Sequence, residues 1–216
     1  LVAATIQDEA RGGPVTLVGH DWGAIIAGMV LRDRPELVKR LVLLDVGAMP
    51  QLSGVPTRDD LLRLVGICSY FAVNVLIYLV GQIRPLRALA DAANRSWIAW
   101  LCPRVSPAGF DRAQPRPLAS DNNYFYAYAA MATLLAGSKA LGGALRRPAG
   151  VPTFFLHGSG LFHDPAWAAA LRASPPNDAA FICSDHWFLL AEPTRTRRAL
   201  CAWLASSDVA VADAPA

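Results

Sequence analysis

Two kinds of apolar pattern divide the chain. Short uninterrupted runs bounded by turn-forming residues occur towards both ends: VTLVG at 15–19 after Gly12-Gly13-Pro14, LVLL at 41–44 before Asp45, PTFFLHG at 152–158, and AAFIC at 179–183. Runs of this length without polar interruption fit strands buried on both faces of a parallel sheet. Beside them, apolar residues recur at helical spacing in LVAATIQDEA at 1–10, in AIIAGMVLR at 24–32, and in LLAEPTRTRRALCAWL at 189–204, where Pro193 suits a first helical turn. Strands alternating with helices predict one α/β domain built on part of a parallel, doubly wound sheet.

Between about 50 and 148 no strand pattern is convincing, and long Leu/Ala/Tyr stretches follow helical spacing instead. The expected organisation is a core of 1–49 and 149–216 interrupted by a helical cap at 50–148, set over the carboxyl edge of the sheet, where ligands bind in such folds. Leu64 to Gly81 contains 18 residues without a formal charge, the lower limit for a membrane span. Ser69, Asn74 and two tyrosines interrupt it, which favours a buried or substrate-lining cap helix over a span, with peripheral membrane contact as the intermediate reading.

Composition narrows the function classes. With 216 residues the chain holds roughly one and a half average domains, and 54% hydrophobic against 17% charged residues excludes a disordered or purely solvating chain. The net charge of +3 comes from scattered basic residues, clustered only at Arg146-Arg147 and within 195–198, so no nucleic-acid-binding stripe is expected. Cys68, Cys102, Cys183 and Cys201 lack the spacing of a metal or redox pair and are expected as buried thiols; no metal and no cofactor are predicted. The first residue is Leu1, and 1–10 does not have the form of a signal peptide, so the sequence reads as a fragment that begins mid-protein.

The chemistry is concentrated in Gly19-His20-Asp21-Trp22-Gly23, which follows a predicted strand and opens a predicted helix. A sharp strand-to-helix turn lifts its apex side chain above the sheet edge and calls for small residues two positions before and after it. The apex here is Asp21. A carboxylate is ionised at neutral pH and can attack an electrophilic carbon directly, without the base that a serine needs. The product is an ester on Asp21, and its release requires water activated by a base and an N–H donor for the oxyanion, which Trp22 offers from its backbone. A nucleophilic Asp therefore predicts a histidine downstream.

GHDWG after VTLV, a helical insertion and a late histidine together resemble the α/β-hydrolase superfamily, in particular its epoxide hydrolase and haloalkane dehalogenase branch. The resemblance implies Asp21 as nucleophile and His186, in Ser184-Asp185-His186-Trp187-Phe188 after the last strand, as base. His157 and His163 are the competitors, and His20 is expected to pack or hydrogen-bond locally. For the acid that orients the base, the family uses either of two strand ends. Asp45, 24 residues after Asp21 and followed by Gly47-Ala48 and Met49-Pro50, fits the dehalogenase-like placement; Asp164, after the broken pattern Gly158-Ser159-Gly160-Leu161, is the alternative.

An epoxide opening leaves an alkoxide that a tyrosine hydroxyl can protonate, whereas halide release calls for N–H donors such as indoles. Asn122 to Tyr128 (NNYFYAY) resembles the tyrosine-bearing cap segment of epoxide hydrolases. It implies Tyr124 or Tyr126 as acid, with Tyr70 or Tyr78 as a second tyrosine. His163 to Trp167 (HDPAW) resembles a subgroup placed with the same enzymes. The implied function is an epoxide hydrolase-like enzyme acting on an apolar small-molecule substrate. A haloalkane dehalogenase-like hydrolase and a non-catalytic, membrane-associated relative are the rivals. The resemblance also implies strands and a His-Gly-x-Pro loop ahead of residue 1, so little autonomous activity is expected of these residues alone.

Overall fold

The computed structural model describes residues 2–10, 13–48, 58–105, 119–136, 150–158, 165–184 and 186–212. The chain divides into two compact units, one of Leu1–Gln51 with Leu141–Ala216 and one of Leu52–Ala140. The first unit holds strands β1 (Val15–His20), β2 (Val38–Leu44), β3 (Thr153–His157) and β4 (Asp178–Phe181). Helices α1 (Val2–Glu9) and α2 (Trp22–Asp33) also belong to it. The second unit holds α3 (Arg58–Gly81), α4 (Arg87–Val105) and α5 (Tyr124–Ala136). The chain then returns to the first unit with α6 (Pro165–Arg172), α7 (Phe188–Ala191) and α8 (Pro193–Ala212).

The four strands are parallel and lie in the order β1-β2-β3-β4. Because side chains alternate across a strand, β2 and β3 serve two cores at once. Leu41, Leu43 and Phe155 face Ala24, Ala27, Val30 and Leu31 of α2 with Ala168 and Leu171 of α6. Val42, Leu44, Phe154 and Leu156 face Phe188 of α7 and Trp203 of α8. Coverage on both faces explains the unbroken apolar runs in the sequence. β1 is an edge strand, and Val18, in register with Val42, remains 58% exposed.

β2 starts at Val38, three residues before its apolar run, because Arg40 joins the strand with only 6% exposure. Its guanidinium Nη1 donates to the Leu204 carbonyl oxygen at 3.4 Å. The long aliphatic stem of arginine tolerates such a position when its head finds an acceptor. The cysteine expectation is corrected: Cys68, Cys183 and Cys201 are exposed, since Cys68 and Cys201 lie on outward helix faces and Cys183 follows an edge strand.

The helical unit closes around a polar interior. Asn123 Nδ2 donates to Asn94 Oδ1 at 2.9 Å, and both residues are buried. The Ser120 hydroxyl and amide both donate to Asp91 Oδ1, at 2.7 and 2.8 Å, and Asn74 Nδ2 donates to the Tyr70 carbonyl oxygen at 2.7 Å. Satisfied networks of this kind specify one packing arrangement, since any other leaves buried polar groups unpaired. The buried-helix expectation for 64–81 holds for one face only: Asn74, Ile77 and Gly81 are buried while Leu76 and Leu79 are exposed. Among the described residues, no single helix is long and apolar enough to cross a membrane.

Candidate active site

Asp21 stands between β1 and α2 with φ 53° and ψ −123°. Side chains rarely adopt that backbone conformation, which costs on the order of 1–3 kcal/mol and persists only where surrounding structure imposes it. Here its amide donates to the Leu44 carbonyl at 3.4 Å, and its carbonyl accepts from the Ala24 amide at 2.9 Å. The carboxyl makes no capping hydrogen bond to α2, and its side chain remains 43% exposed.

Small residues on both sides of the turn were expected, but only one is required sterically. A Cβ on Gly19 would sit 2.5 Å from the Gly23 carbonyl carbon and 2.6 Å from the Ala24 nitrogen, whereas a Cβ on Gly23 meets nothing within 4 Å. Gly19→Ala is expected to destabilise the fold by about 2–3 kcal/mol, because backbone rather than a side-chain tip must move. Gly23→Ala, inside α2, is expected to be neutral or stabilising by up to about 1 kcal/mol. Urea midpoints of the two variants check both.

His186 follows β4 and precedes α7, and the structure brings it to the same sheet edge. Its Nδ1 lies 2.6 Å from Asp45 Oδ2, and its Nε2 lies 3.9 Å from Asp21 Oδ2. The first is a short charge-assisted hydrogen bond. The second is too long for one. Asp45, at the end of β2 with φ 61°, has a completely buried side chain whose Oδ1 accepts the Gly158 amide at 3.2 Å. Gly47 must be small for another reason: a Cβ there would lie 2.5 Å from the Trp167 ring and 2.8 Å from the Phe155 ring.

The two carboxyls are driven apart electrostatically. Burial raises Asp21 above the ordinary carboxylate value, an effect limited by the positive charge of His186 and His20 and by the Trp22 amide. Burial alone would raise Asp45 as well, but the His186 hydrogen bond and charge, with the Gly158 amide, outweigh it and hold Asp45 below the ordinary value. Environments that separate two titratable groups in this way assign them different roles.

His20 packs and hydrogen-bonds, with partners distant in sequence. Its Nε2 donates to the His186 carbonyl oxygen at 3.1 Å across 166 residues of sequence, and its ring lies 4.5 Å from the His186 ring and 5.6 Å from that of Trp187. Burial lowers its pKa against the opposing effect of that hydrogen bond. His157, the competing base, is buried at the end of β3, with Nδ1 3.2 Å from the Gly158 carbonyl oxygen. His163 and Asp164 lie outside the described residues.

Tyr124 and Tyr126 belong to the helical unit. Tyr124 is 49% exposed against Phe125, whereas the Tyr126 hydroxyl is hydrogen-bonded to that of Tyr70, the two rings meeting edge to face at 5.3 Å. Tyr78 makes no such pair among the described contacts. Sequence spacing could not join Tyr70 to Tyr126, because 56 residues and two helix turns separate them.

A parallel sheet whose strand-end turn carries Asp21, with His186 and Asp45 at the same edge, can be set against known proteins. Residues 2–72 match a family model described as alpha/beta hydrolase fold. A loop variant of a haloalkane dehalogenase from Bradyrhizobium elkanii superposes with a TM-score of 0.57 over 97% of this chain and 73% of that one, at 20% identity. The chain has the α/β-hydrolase fold. An esterase from Thermogutta terrifontis superposes with a TM-score of 0.52 over 95% of this chain and 70% of its own, at 19% identity. In sequence, 49 residues are 47% identical to Epoxide hydrolase 3 of Siraitia grosvenorii, covering 23% of this chain and 16% of that protein.

Proposed function

We propose that this α/β-hydrolase-fold chain contributes the catalytic residues of a hydrolase that works through an ester on Asp21, with epoxide hydrolysis as its reaction. The observation that carries the reading is the shared imidazole: His186 is hydrogen-bonded to the buried Asp45 through Nδ1 and presents Nε2 towards Asp21. In the proposed first step an Asp21 oxygen attacks an epoxide carbon, the carbon–oxygen bond of the ring breaks, and the alkoxide takes a proton from a tyrosine hydroxyl. The tyrosine proposed is Tyr126, which the resemblance to epoxide hydrolases implies; within the helical unit its hydroxyl is linked to that of Tyr70, and two linked hydroxyls can stabilise a phenolate.

In the second step water attacks the Asp21 carboxyl carbon and gives a proton to His186 Nε2. The Trp22 amide faces the developing oxyanion, and Asp45 stabilises the imidazolium. Collapse expels the alkoxide, which takes the proton back from the imidazolium to give the diol, and the Asp21 carboxylic acid gives up its remaining proton to restore the tyrosine hydroxyl, regenerating the carboxylate. Asp45→Asn would keep an oxygen for the Gly158 amide but turn N–H donors towards His186 Nδ1, favouring the wrong tautomer. A loss of about 10²–10³-fold in kcat is expected. Because Asp45 lies below its unfolded value, its contribution to stability is present above about pH 3.9 and is lost as pH falls through its folded value. Asp45→Asn should therefore flatten the acid limb of a stability–pH curve.

A single-turnover reaction in heavy-oxygen water tests the function. Attack at the Asp21 carboxyl sends the label into Asp21 and unlabelled oxygen into the diol, while direct attack of water on the substrate labels the diol and leaves Asp21 unlabelled. Run in parallel on apolar epoxides and haloalkanes, the same reaction shows which substrate class turns over.

A further inference from the structure

Helix α3 has two faces of opposite character. Tyr70, Phe71 and Ile77 turn towards the interior of the helical unit, with Tyr70 and Phe71 against Tyr126 of α5. At steps of three and four residues along the other side lie exposed Leu62, Val65, Ser69, Ala72, Leu76 and Leu79, with Leu61 beside Leu62, and the leucines and Val65 are 50–62% exposed. No charged residue occupies this stripe from Leu61 to Leu79, a length of about 27 Å at 1.5 Å per residue. Isolated exposed leucines need no explanation, but apolar clusters at both ends of one uncharged face, joined through Ser69 and Ala72, mark a contact surface.

The helical unit is also net basic in composition. Residues 52–140 carry nine basic against five acidic side chains, a net +4, whereas the rest of the chain carries eleven against twelve, a net −1. Exposed Arg58 falls on the stripe itself at the start of α3, and exposed Arg84 follows its end. Arginines at the ends of an apolar stripe can keep their heads at headgroup level while the leucines enter the acyl boundary.

We infer that the outer face of α3 docks on an anionic lipid surface, with α3 lying in the interface plane. A second copy of the chain would bring two net-positive units together, whereas an anionic bilayer neutralises them. The inference does not depend on the catalytic reading, and the two can fail separately.

Flotation of the full chain with vesicles of phosphatidylcholine alone and of phosphatidylcholine with phosphatidylserine tests it. Binding is expected to the mixed vesicles and to be far weaker on phosphatidylcholine. Arg58→Gln with Arg84→Gln should weaken it about 30-fold, from roughly 1 kcal/mol per basic residue near the surface. Leu62→Gln with Leu76→Gln, both at exposed positions, should weaken it at least about tenfold through lost apolar burial, with circular dichroism and urea midpoint unchanged. Absence of wild-type binding, equal binding to both vesicle types, or undiminished binding of the folded leucine variant would each overturn the inference. So would a dimer, seen by light scattering, that the leucine substitutions dissociate in place of vesicle binding.

Discussion

His186→Gln, mixed with an apolar epoxide, is expected to stop after one chemical step and accumulate protein heavier by the full mass of the epoxide, with the added mass mapping to Asp21. The attack by Asp21 needs no base, because the nucleophile is already a carboxylate, so alkylation should survive the substitution. Hydrolysis of the ester should not. It depends on proton removal from water, to which a positioned base contributes typically about 10²–10⁴-fold. Steady-state turnover should fall by that factor, with product formation replaced by one equivalent of stable adduct. An alkyl adduct lacking its halogen, formed from a haloalkane while epoxides leave none, would transfer the assignment to dehalogenation. A folded variant with no adduct from either panel would remove the support for Asp21 as nucleophile.

Asp21→Asn should abolish both the adduct and turnover, a loss of about 10⁴-fold or more, since a neutral amide is no substitute for a carboxylate nucleophile. The same substitution should make the protein more stable at neutral pH. Asp21 is raised above its ordinary value because folding desolvates its charged form. A raised carboxyl is a cost of folding that appears as pH rises above the unfolded value, near 3.9, and is complete above the folded one. Thermal unfolding should therefore show a higher Tm for Asp21→Asn at pH 7, with the difference shrinking as pH falls below that range. Asp45→Asn should move stability the other way at neutral pH, because its carboxyl lies below the ordinary value. Opposite signs for two carboxyls around one imidazole would be hard to obtain from general loss of folding. Parallel melts of the two variants separate the readings, and equal destabilisation by both would contradict the division of roles.

Much of this was legible in the amino-acid order because local rules and tertiary demands agree there. The apolar runs at 41–44 and 154–156 are strands covered on both sheet faces, and that coverage is what keeps polar residues out of them. Pro193 begins α8, as its missing N–H and preset φ favour. The Asp21 turn was visible because a strained strand-to-helix junction requires Gly19, the one flanking position where backbone stands in the way of a Cβ. Gly23 carried no such information, although its spacing suggested that it did.

What sequence spacing left open depends on distances through space. Asp45 was favoured as the acid by its spacing from Asp21 and by the residues that follow it, with Asp164 as the alternative, but its 2.6 Å contact with His186 spans 141 residues and is beyond any local pattern. His20 meets the His186 carbonyl, and Tyr126 finds Tyr70, for the same reason: each contact is made by the crossovers and helix turns, not by neighbours in the chain. Helix α3 shows the division most clearly. Its apolar content was evident from composition, but an apolar residue has no directional preference of its own. Only packing against α4 and α5 decided that Ile77 is buried while Leu76 and Leu79 stay exposed.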